Sequence, residues 1–135
     1  MRLVFDTNVL IAAFISHGQC SDILEHCARR HVLVSSEFVL MEFEAKLLEK
    51  FHIEPTDVHA ARVLLASRME IVQPAALAEP VCRDPDDDWI LATALEGRCD
   101  CIITGDKDLL TLNAYGRVRI LGPGEFWQYE LTNDS

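Results

Sequence analysis

Residues 2–8 read Arg2-Leu3-Val4-Phe5-Asp6-Thr7-Asn8, a short apolar run that ends in an acid and two small polar residues. An apolar run followed at once by a helical pattern is typical of the central parallel strand of an α/β sheet. Ligands bind beyond the carboxyl ends of such strands, where Asp6 lies. Taken alone, Asp6, Thr7 or Asn8 is better explained as a cap of the next helix. A functional role for Asp6 therefore depends on the rest of the chain.

Outward from this stretch, strands alternate with helices. We predict further strands at residues 32–34, 69–72, 101–103 and 118–121. The intervening helices are predicted at residues 20–30, 37–51, 55–68 and 85–96. This alternation predicts an α/β fold with a central parallel sheet of four to five strands, flanked by helices. A chain of 135 residues suits one domain, which we place at residues 1–130, with a flexible C-terminal tail at residues 131–135.

The composition limits the possible partners. The formal net charge is −10, from 22 acids against 12 lysines and arginines, which argues against a protein that binds nucleic acid through a basic surface. The charge is compatible with acids clustered around cations, with a basic partner protein, or simply with solubility. The five cysteines include no Cys-x-x-Cys pair, and no apolar run near the N-terminus is long enough to cross a bilayer. We therefore expect a reduced, cytoplasmic protein without a membrane partner.

The segment from Arg83 to Ala94 is rich in acids at the start of a predicted helix. Helix energetics alone explain Asp84 as an N-cap and Asp87 as the acid of a capping box. Asp88 is left over, and it lies three, four and seven residues before the apolar residues Leu91, Ala92 and Leu95. That spacing predicts an inward carboxylate, which is normally paired or holds a metal ion. We favour a metal ligand, with Asp84 or Asp87 as further ligands or supporting groups.

Two other places supply acids. Asp106 follows the strand at residues 101–103, and capping of the next turn explains it as well as ligation does. In the third helix, a helical wheel places Glu44 in the apolar stripe and Glu42 on the far side, and the sequence alone does not choose between them. Asp6, Asp88 and Asp106 are thus expected to converge with one glutamate. These hard oxygen ligands indicate Mg²⁺ or Mn²⁺.

Together these motifs resemble the PIN-domain family of metal-dependent ribonucleases, which includes VapC-type toxins. The resemblance spans the chain and is closest to a subgroup of toxin components that carries Arg83-Asp84-Pro85-Asp86-Asp87-Asp88. Its other motifs are residues 3–8, Glu42 followed by an aromatic residue, residues 88–94, and Thr104-Gly105-Asp106-Lys107-Asp108. The resemblance implies a three-layer PIN-like fold.

The resemblance also implies site residues. The catalytic, metal-binding quartet would be Asp6, Glu42, Asp88 and Asp106, holding one or two Mg²⁺ or Mn²⁺ ions. Further ligands would come from Asp84 and Asp108, with Asp87 an additional acid in this subgroup. The side chains that orient the ligands would be Thr7, Asn8 and Thr104. The candidates for phosphate contacts, for each of which ordinary surface charge is the alternative, are Arg29, Arg30, Lys46 and Lys50.

The implied activity is metal-dependent hydrolysis of phosphodiester bonds in single-stranded RNA by the toxin of a toxin-antitoxin pair. The implied partners are an RNA substrate, a small basic antitoxin and a second copy of the chain in a homodimer. One alternative is a metal-dependent phosphatase, which needs a second acid two residues after Asp6, where Asn8 stands. The other is a PIN-like interaction module without turnover.

Overall fold

A six-stranded sheet carries the fold. The computed structural model describes residues 1–133. The strands are β1 (Arg2–Phe5), β2 (Val32–Ser36), β3 (Met69–Val72), β4 (Cys101–Ile103), β5 (Ala114–Tyr115) and β6 (Val118–Leu121). Their spatial order is β3-β2-β1-β4-β6-β5, and every pairing except β5–β6 is parallel.

The strand β1 lies in the middle of the sheet because both of its faces are apolar. Leu3 and Val4 have no exposed surface, and β1 pairs with β2 on one side and β4 on the other. From β1 the chain winds outward to β3, and from β4 it winds the other way to β6. Loops that leave two neighbouring strands in opposite directions open a crevice between the strand ends, where ligands bind in sheets of this kind. The fold therefore provides a crevice beyond Phe5 and Ile103.

Helices cover the sheet. They are α1 (Thr7–Ile15), α2 (Gln19–Arg30), α3 (Glu37–Glu49), α4 (Pro55–Ser67), α5 (Pro85–Glu96), α6 (Lys107–Leu112) and α7 (Pro123–Asn133). The helix α1 packs against α2 and α3, whereas α5 packs on β1, β2 and β4. This is the three-layer α/β arrangement that the sequence predicts. Within residues 1–133, none of the helices combines the length and apolarity that a membrane span requires.

The sheet has one strand more than predicted, and that strand is antiparallel. The additional strand β5 forms a hairpin with β6, and Gly116 in its turn adopts a φ of +59°, a left-handed conformation that glycine adopts without strain. A strand of two residues is too short to show an alternating pattern. The predicted parallel sheet is confirmed by the five strands β3-β2-β1-β4-β6, and β5 adds a short antiparallel edge strand.

The helix α7 is the largest element that the sequence analysis missed. Its side chain Phe126 is fully buried, and Pro123 occupies the first turn, where proline lacks no needed hydrogen bond. The helix continues to Asn133, so residues 131–133 of the expected flexible tail are helical. The last two residues of that tail, Asp134 and Ser135, lie outside the described residues.

Hydrogen bonds of Glu130 connect α7 to the amino edge of the sheet. Its carboxylate accepts hydrogen bonds from Nε2 of His26 (2.8 Å) in α2 and from Nε2 of His31 (2.5 Å), which precedes β2. Burial alone would raise the pKa of Glu130, but the hydrogen bonds from His31 and His26 and their charges lower it below its ordinary value of 4.5. The ionised carboxylate is therefore the form that stabilises the fold.

We expect Glu130→Gln to lower the free energy of unfolding at pH 7 by about 1–3 kcal/mol, the range for hydrogen bonds to a charged group. Because the folded pKa of Glu130 is depressed, its contribution is present above pH 4.5 and is lost as the pH falls through the folded pKa. Urea unfolding of both proteins at several pH values measures this. Equal stabilities at pH 7 would show that the carboxylate does not fasten α7.

Candidate active site

Asp6 ends β1 at the crevice. Its backbone N–H donates to the carbonyl of Ile103 (2.9 Å), which continues the β1–β4 ladder and fixes the side chain at the carboxyl edge of the sheet. The residue is 5 % exposed, and its Oδ2 accepts a hydrogen bond from the Thr104 hydroxyl (2.7 Å). Burial raises the pKa of Asp6; the Thr104 hydrogen bond lowers it, and the charge of Asp106 raises it further. Asp6 is thus a buried, oriented carboxylate.

The turn after β4 places two more acids beside Asp6. The Thr104 hydroxyl accepts from the backbone N–H of Asp106 (3.0 Å) while it donates to Asp6. Asp106 is the N-cap of α6, and its Oδ1 accepts from the N–H of Asp108 (2.9 Å). Capping uses one carboxylate oxygen and leaves the other available. Capping and ligation, which are alternatives for Asp106 in the sequence, are thus compatible with each other in this geometry.

The helix α5 contributes the buried acid that completes this cluster. Asp87 is 8 % exposed, and carboxylate oxygens of Asp87, Asp106 and Asp108 all lie within 4.8 Å of one another. Burial and the charges of Asp106, Asp6 and Asp84 raise the pKa of Asp87 to about 7. Like charges at this distance repel strongly unless a proton or a cation separates them. Ionisation of Asp87 is therefore opposed both by its burial and by the neighbouring acids.

The inward acid of α5 was predicted to be Asp88, and this prediction is wrong. The Asp88 carboxylate accepts hydrogen bonds from the backbone N–H groups of Cys82 (2.8 Å) and Val81 (3.2 Å), so it holds the incoming loop. Leu95, which was expected to share a buried helix face with Asp88, is 44 % exposed. Counted from Asp87, the positions three, four and seven residues on are fully or almost fully buried: Ile90, Leu91 and Ala94. The burial of this face identifies Asp87 as the inward acid.

The helix α3 delivers Glu42 from the opposite side. Burial raises the pKa of the half-buried Glu42; the Thr7 hydroxyl and Lys46 lower it, and the neighbouring Asp86 raises it. Glu44, which the helical wheel placed inside the apolar stripe, instead pairs with Arg62 on α4. The structure therefore places Glu42 beside Thr7, Lys46 and Asp86, and its role as a metal ligand stays a prediction.

Two cations flank the acids. Lys46 donates from Nζ to Oδ1 of Asn8 (3.1 Å), one helical turn beyond Glu42. On the other side, the largely exposed Arg83 donates from a terminal guanidinium nitrogen to Oδ1 of Asp108 (2.8 Å). Arg83 was not among the predicted phosphate contacts, although it directly precedes the acidic run in the sequence. Together they border the acidic cluster on two sides.

The other predicted phosphate contacts lie elsewhere. Arg29 and Arg30 end α2 immediately before β2, at the amino edge of the sheet, whereas the acids lie at the carboxyl edge. Because parallel strands keep these edges apart, the two arginines cannot share a phosphate with Asp6. Lys50 follows α3, where its ammonium lies 5.8 Å from the centre of the Phe51 ring. Of the four predicted cations, the structure brings only Lys46 to the cluster.

The donor set fits a hard divalent ion. The convergent side chains offer carboxylate oxygens: Asp6, Glu42, Asp84, Asp86, Asp87, Asp106 and Asp108. Mg²⁺ and Mn²⁺ prefer such oxygens, and a bound cation relieves the repulsion between these carboxylates. Thr104 fixes the orientation of Asp6 by its hydrogen bond. Thr7 lies beside Glu42. The arrangement can hold a divalent ion beside two cations at the mouth of a crevice.

Solved structures share this fold. VapBC2 from Rickettsia felis, solved with a DNA fragment from their promoter, has a TM-score of 0.66 at 15 % identity over 90 % of this chain and 98 % of that chain. VapBC-1 from nontypeable Haemophilus influenzae has a TM-score of 0.61 at 19 % identity, over 92 % of this chain and 99 % of that chain. VapC20 from Mycobacterium tuberculosis, a sarcin-ricin loop cleaving toxin, has a TM-score of 0.61 at 14 % identity, over 87 % of this chain and 98 % of that chain. At these identities the likeness concerns the fold.

Sequence comparison gives the family. No curated protein matches the chain. The PIN domain model matches residues 2–108, which include every acid of the cluster. This match shows that the chain belongs to the PIN-domain family, the nuclease family that its motifs resemble.

Proposed function

We propose that the protein is a Mg²⁺- or Mn²⁺-dependent endoribonuclease that hydrolyses phosphodiester bonds of single-stranded RNA. The observation that carries the proposal is the convergence of Asp87, Asp106 and Asp108, with oxygens within 4.8 Å, beside the buried Asp6 at the switch point of a PIN-domain sheet. A fold tolerates such repulsion most readily where ions are to be bound. One or two ions are compatible with this donor set.

The residues have distinct roles in this proposal. Asp6, Glu42, Asp87 and Asp106 hold the ion or ions, with Asp108 and Asp84 as further ligands. Thr104 fixes the Asp6 carboxylate, and Thr7 supports Glu42. When bound, a divalent ion supplies an activated water and neutralises charge on the reacting phosphate. Asp88 takes no part in binding the ion, because its carboxylate holds the loop before α5.

The cations beside the acidic cluster are proposed to bind the substrate. Lys46 and Arg83 offer positive charge on two sides, so a strand crossing the acids meets a cation before and after the scissile phosphate. An unpaired strand can enter a crevice between helices more easily than a duplex can. The solved neighbour VapC20 is a sarcin-ricin loop cleaving toxin, which agrees with an RNA substrate.

A partner protein is proposed to cover an apolar groove. A cavity of about 280 Å³ between α1, α2 and α4 is lined mainly by apolar side chains, among them Leu10, Phe14, Leu24 and Leu64. Phe14 is 44 % and Leu64 60 % exposed, which is unusual for neighbouring large apolar residues. With a net charge of −10, the chain suits a small basic antitoxin that carries apolar anchors. The two VapBC structures among its neighbours are consistent with a toxin-antitoxin pair.

The chain lacks an acid that the alternative function, a metal-dependent phosphatase, requires. That chemistry needs an acid two residues after the Asp6 nucleophile, but Asn8 occupies this position and accepts a hydrogen bond from Lys46. Asn8 instead keeps the Lys46 ammonium beside the acids. The geometry thus favours hydrolysis with a water nucleophile.

The proposed function is tested by incubating the protein with an end-labelled unpaired RNA, the same RNA in a duplex, and the matching DNA, with Mg²⁺, Mn²⁺ or EDTA. We expect internal cleavage of the unpaired RNA with either ion, much slower cleavage of the duplex, and none in EDTA. Cleavage that persists in EDTA, or an intact RNA in both metals, would contradict the proposal.

A further inference from the structure

Residues of α5 contact Ser36 and α3 at three successive levels. At the lowest level, the hydroxyl of Ser36, the last residue of β2 and the N-cap of α3, is hydrogen bonded to the hydroxyl of Thr93 at 3.0 Å. At the uppermost level, Glu42 and Asp86 are charged neighbours: burial raises the pKa of Glu42, and the charge of Asp86 raises it further. These contacts lead from the end of β2 to the acids of the site.

The middle level is aromatic. The rings of Phe38 and Trp89 lie with their centres 5.9 Å apart and their planes inclined by 30°. Phe38 is one helical turn before Glu42, and Trp89 is three residues after Asp86, so each ring lies on the same helix face as an acid of the upper level. Both rings are half-buried. The aromatic pair therefore adjoins the acidic cluster at a separation of about one helical turn.

A cavity opens beside this pair, towards the carboxyl end of β3. It has a volume of about 240 Å³, and its other walls are Glu37, Val72, Gln73 and Pro74. This is below the roughly 300–1,000 Å³ of pockets that enclose small-molecule ligands. A single planar ring system fits this size. The polar walls are the Glu37 carboxylate, which pairs with Arg62, and the Gln73 amide, which offers a hydrogen-bond donor and an acceptor.

We propose that this cavity binds an unpaired nucleobase of the RNA whose phosphate lies at the acidic cluster, and that Trp89 and Phe38 provide the stacking surface. The inference rests on the proposed ribonuclease function and adds a base-binding site to it. Aromatic side chains are the usual stacking partners of single-stranded bases, and they tolerate different bases. Phe38 and Trp89 lie about one helical turn from Glu42 and Asp86, so one strand can contact both the rings and the acids. Trp89 and Phe38 would act in binding and positioning the strand.

The chain offers a direct probe, because it has only two tryptophans, Trp89 and Trp127. In Trp127→Phe, the indole of Trp89 alone reports on the cavity. In the double variant Trp127→Phe/Asp87→Asn, which we expect not to cut RNA, addition of an unpaired RNA oligonucleotide should quench the Trp89 emission to saturation. The same oligonucleotide with abasic nucleotides should quench it much less.

Cleavage kinetics test the same site. We expect Trp89→Ala to raise KM for unpaired RNA about tenfold, within the range that one stacked base supplies, with kcat little changed. Trp89→Phe should restore most of the affinity, which shows that a ring is needed. On RNA that is abasic at the stacked position, wild type and Trp89→Ala should have equal KM values. Thermal melting of both variants controls for folding.

The outcomes separate this inference from the proposed function. If the wild-type protein cleaves RNA and Trp89→Ala has an unchanged KM, the base-binding site is refuted and the ribonuclease stands. If Trp89→Ala loses the same affinity for abasic and intact RNA, Trp89 supports the fold only, and the inference is again overturned. If the wild type neither cleaves nor binds RNA, both are overturned.

Discussion

Asp87→Asn is expected to abolish metal-dependent RNA cleavage. Asp87 is the buried acid whose oxygens meet those of Asp106 and Asp108, so its removal takes a charged ligand from the centre of the cluster. Loss of a residue that merely supports a metal ligand typically costs about 10–100-fold. We expect the loss of Asp87 to exceed this range. Initial rates of cleavage of an end-labelled RNA in saturating Mg²⁺ measure the effect.

Asp88→Asn is the matched control, since it removes one charge from the next position of the same helix. The Asp88 carboxylate accepts from the N–H groups of Cys82 and Val81, and an asparagine retains one acceptor oxygen. We expect a loss of stability of about 1 kcal/mol and a rate close to that of the wild type. An inactive Asp88→Asn beside an active Asp87→Asn would restore Asp88 as the ligand and refute the arrangement described here.

The second large effect is expected on the stability of the metal-free protein. The pKa of Asp87 is raised from 3.8 to about 7, so the folded protein keeps a proton that the unfolded chain releases. The native state then binds more protons between about pH 4 and pH 7, and stability falls as the pH rises through this window. In EDTA, we expect the wild type to melt at a higher temperature at pH 5.5 than at pH 8. Differential scanning calorimetry measures the difference.

In Asp87→Asn this pH dependence should be weaker, because the titrating group is gone. At pH 8 in EDTA we expect the variant to be more stable than the wild type by on the order of 1–2 kcal/mol, after allowance for solvent screening, or roughly 3–8 °C in Tm. Mn²⁺ should stabilise the wild type, by about 2.7 kcal/mol at one hundred times its Kd, and Asp87→Asn far less. A wild-type Tm that is the same with and without Mn²⁺ would contradict an ion site at these acids.

Several features of the fold were predictable because they depend on local pattern. The apolar run that ends at Asp6 gave the central strand, and the alternation of strands and helices gave the layered α/β architecture. The hairpin strand β5 and the helix α7 were not predicted. The first is two residues long. The second is held by Phe126 and by the distant partners of Glu130, which no local pattern displays.

The amino-acid pattern alone shows that acids follow the strands that become β1 and β4, and that a third group of acids opens α5. Which acid of residues 86–88 enters the crevice depends on how α5 packs in the folded protein. Successive side chains of a helix point about 100° apart, and α5 is apolar from Trp89 to Ala94 apart from Thr93, so several faces were open to burial. Packing of Ile90, Leu91 and Ala94 on the sheet turned Asp87 inward and left Asp88 to the loop.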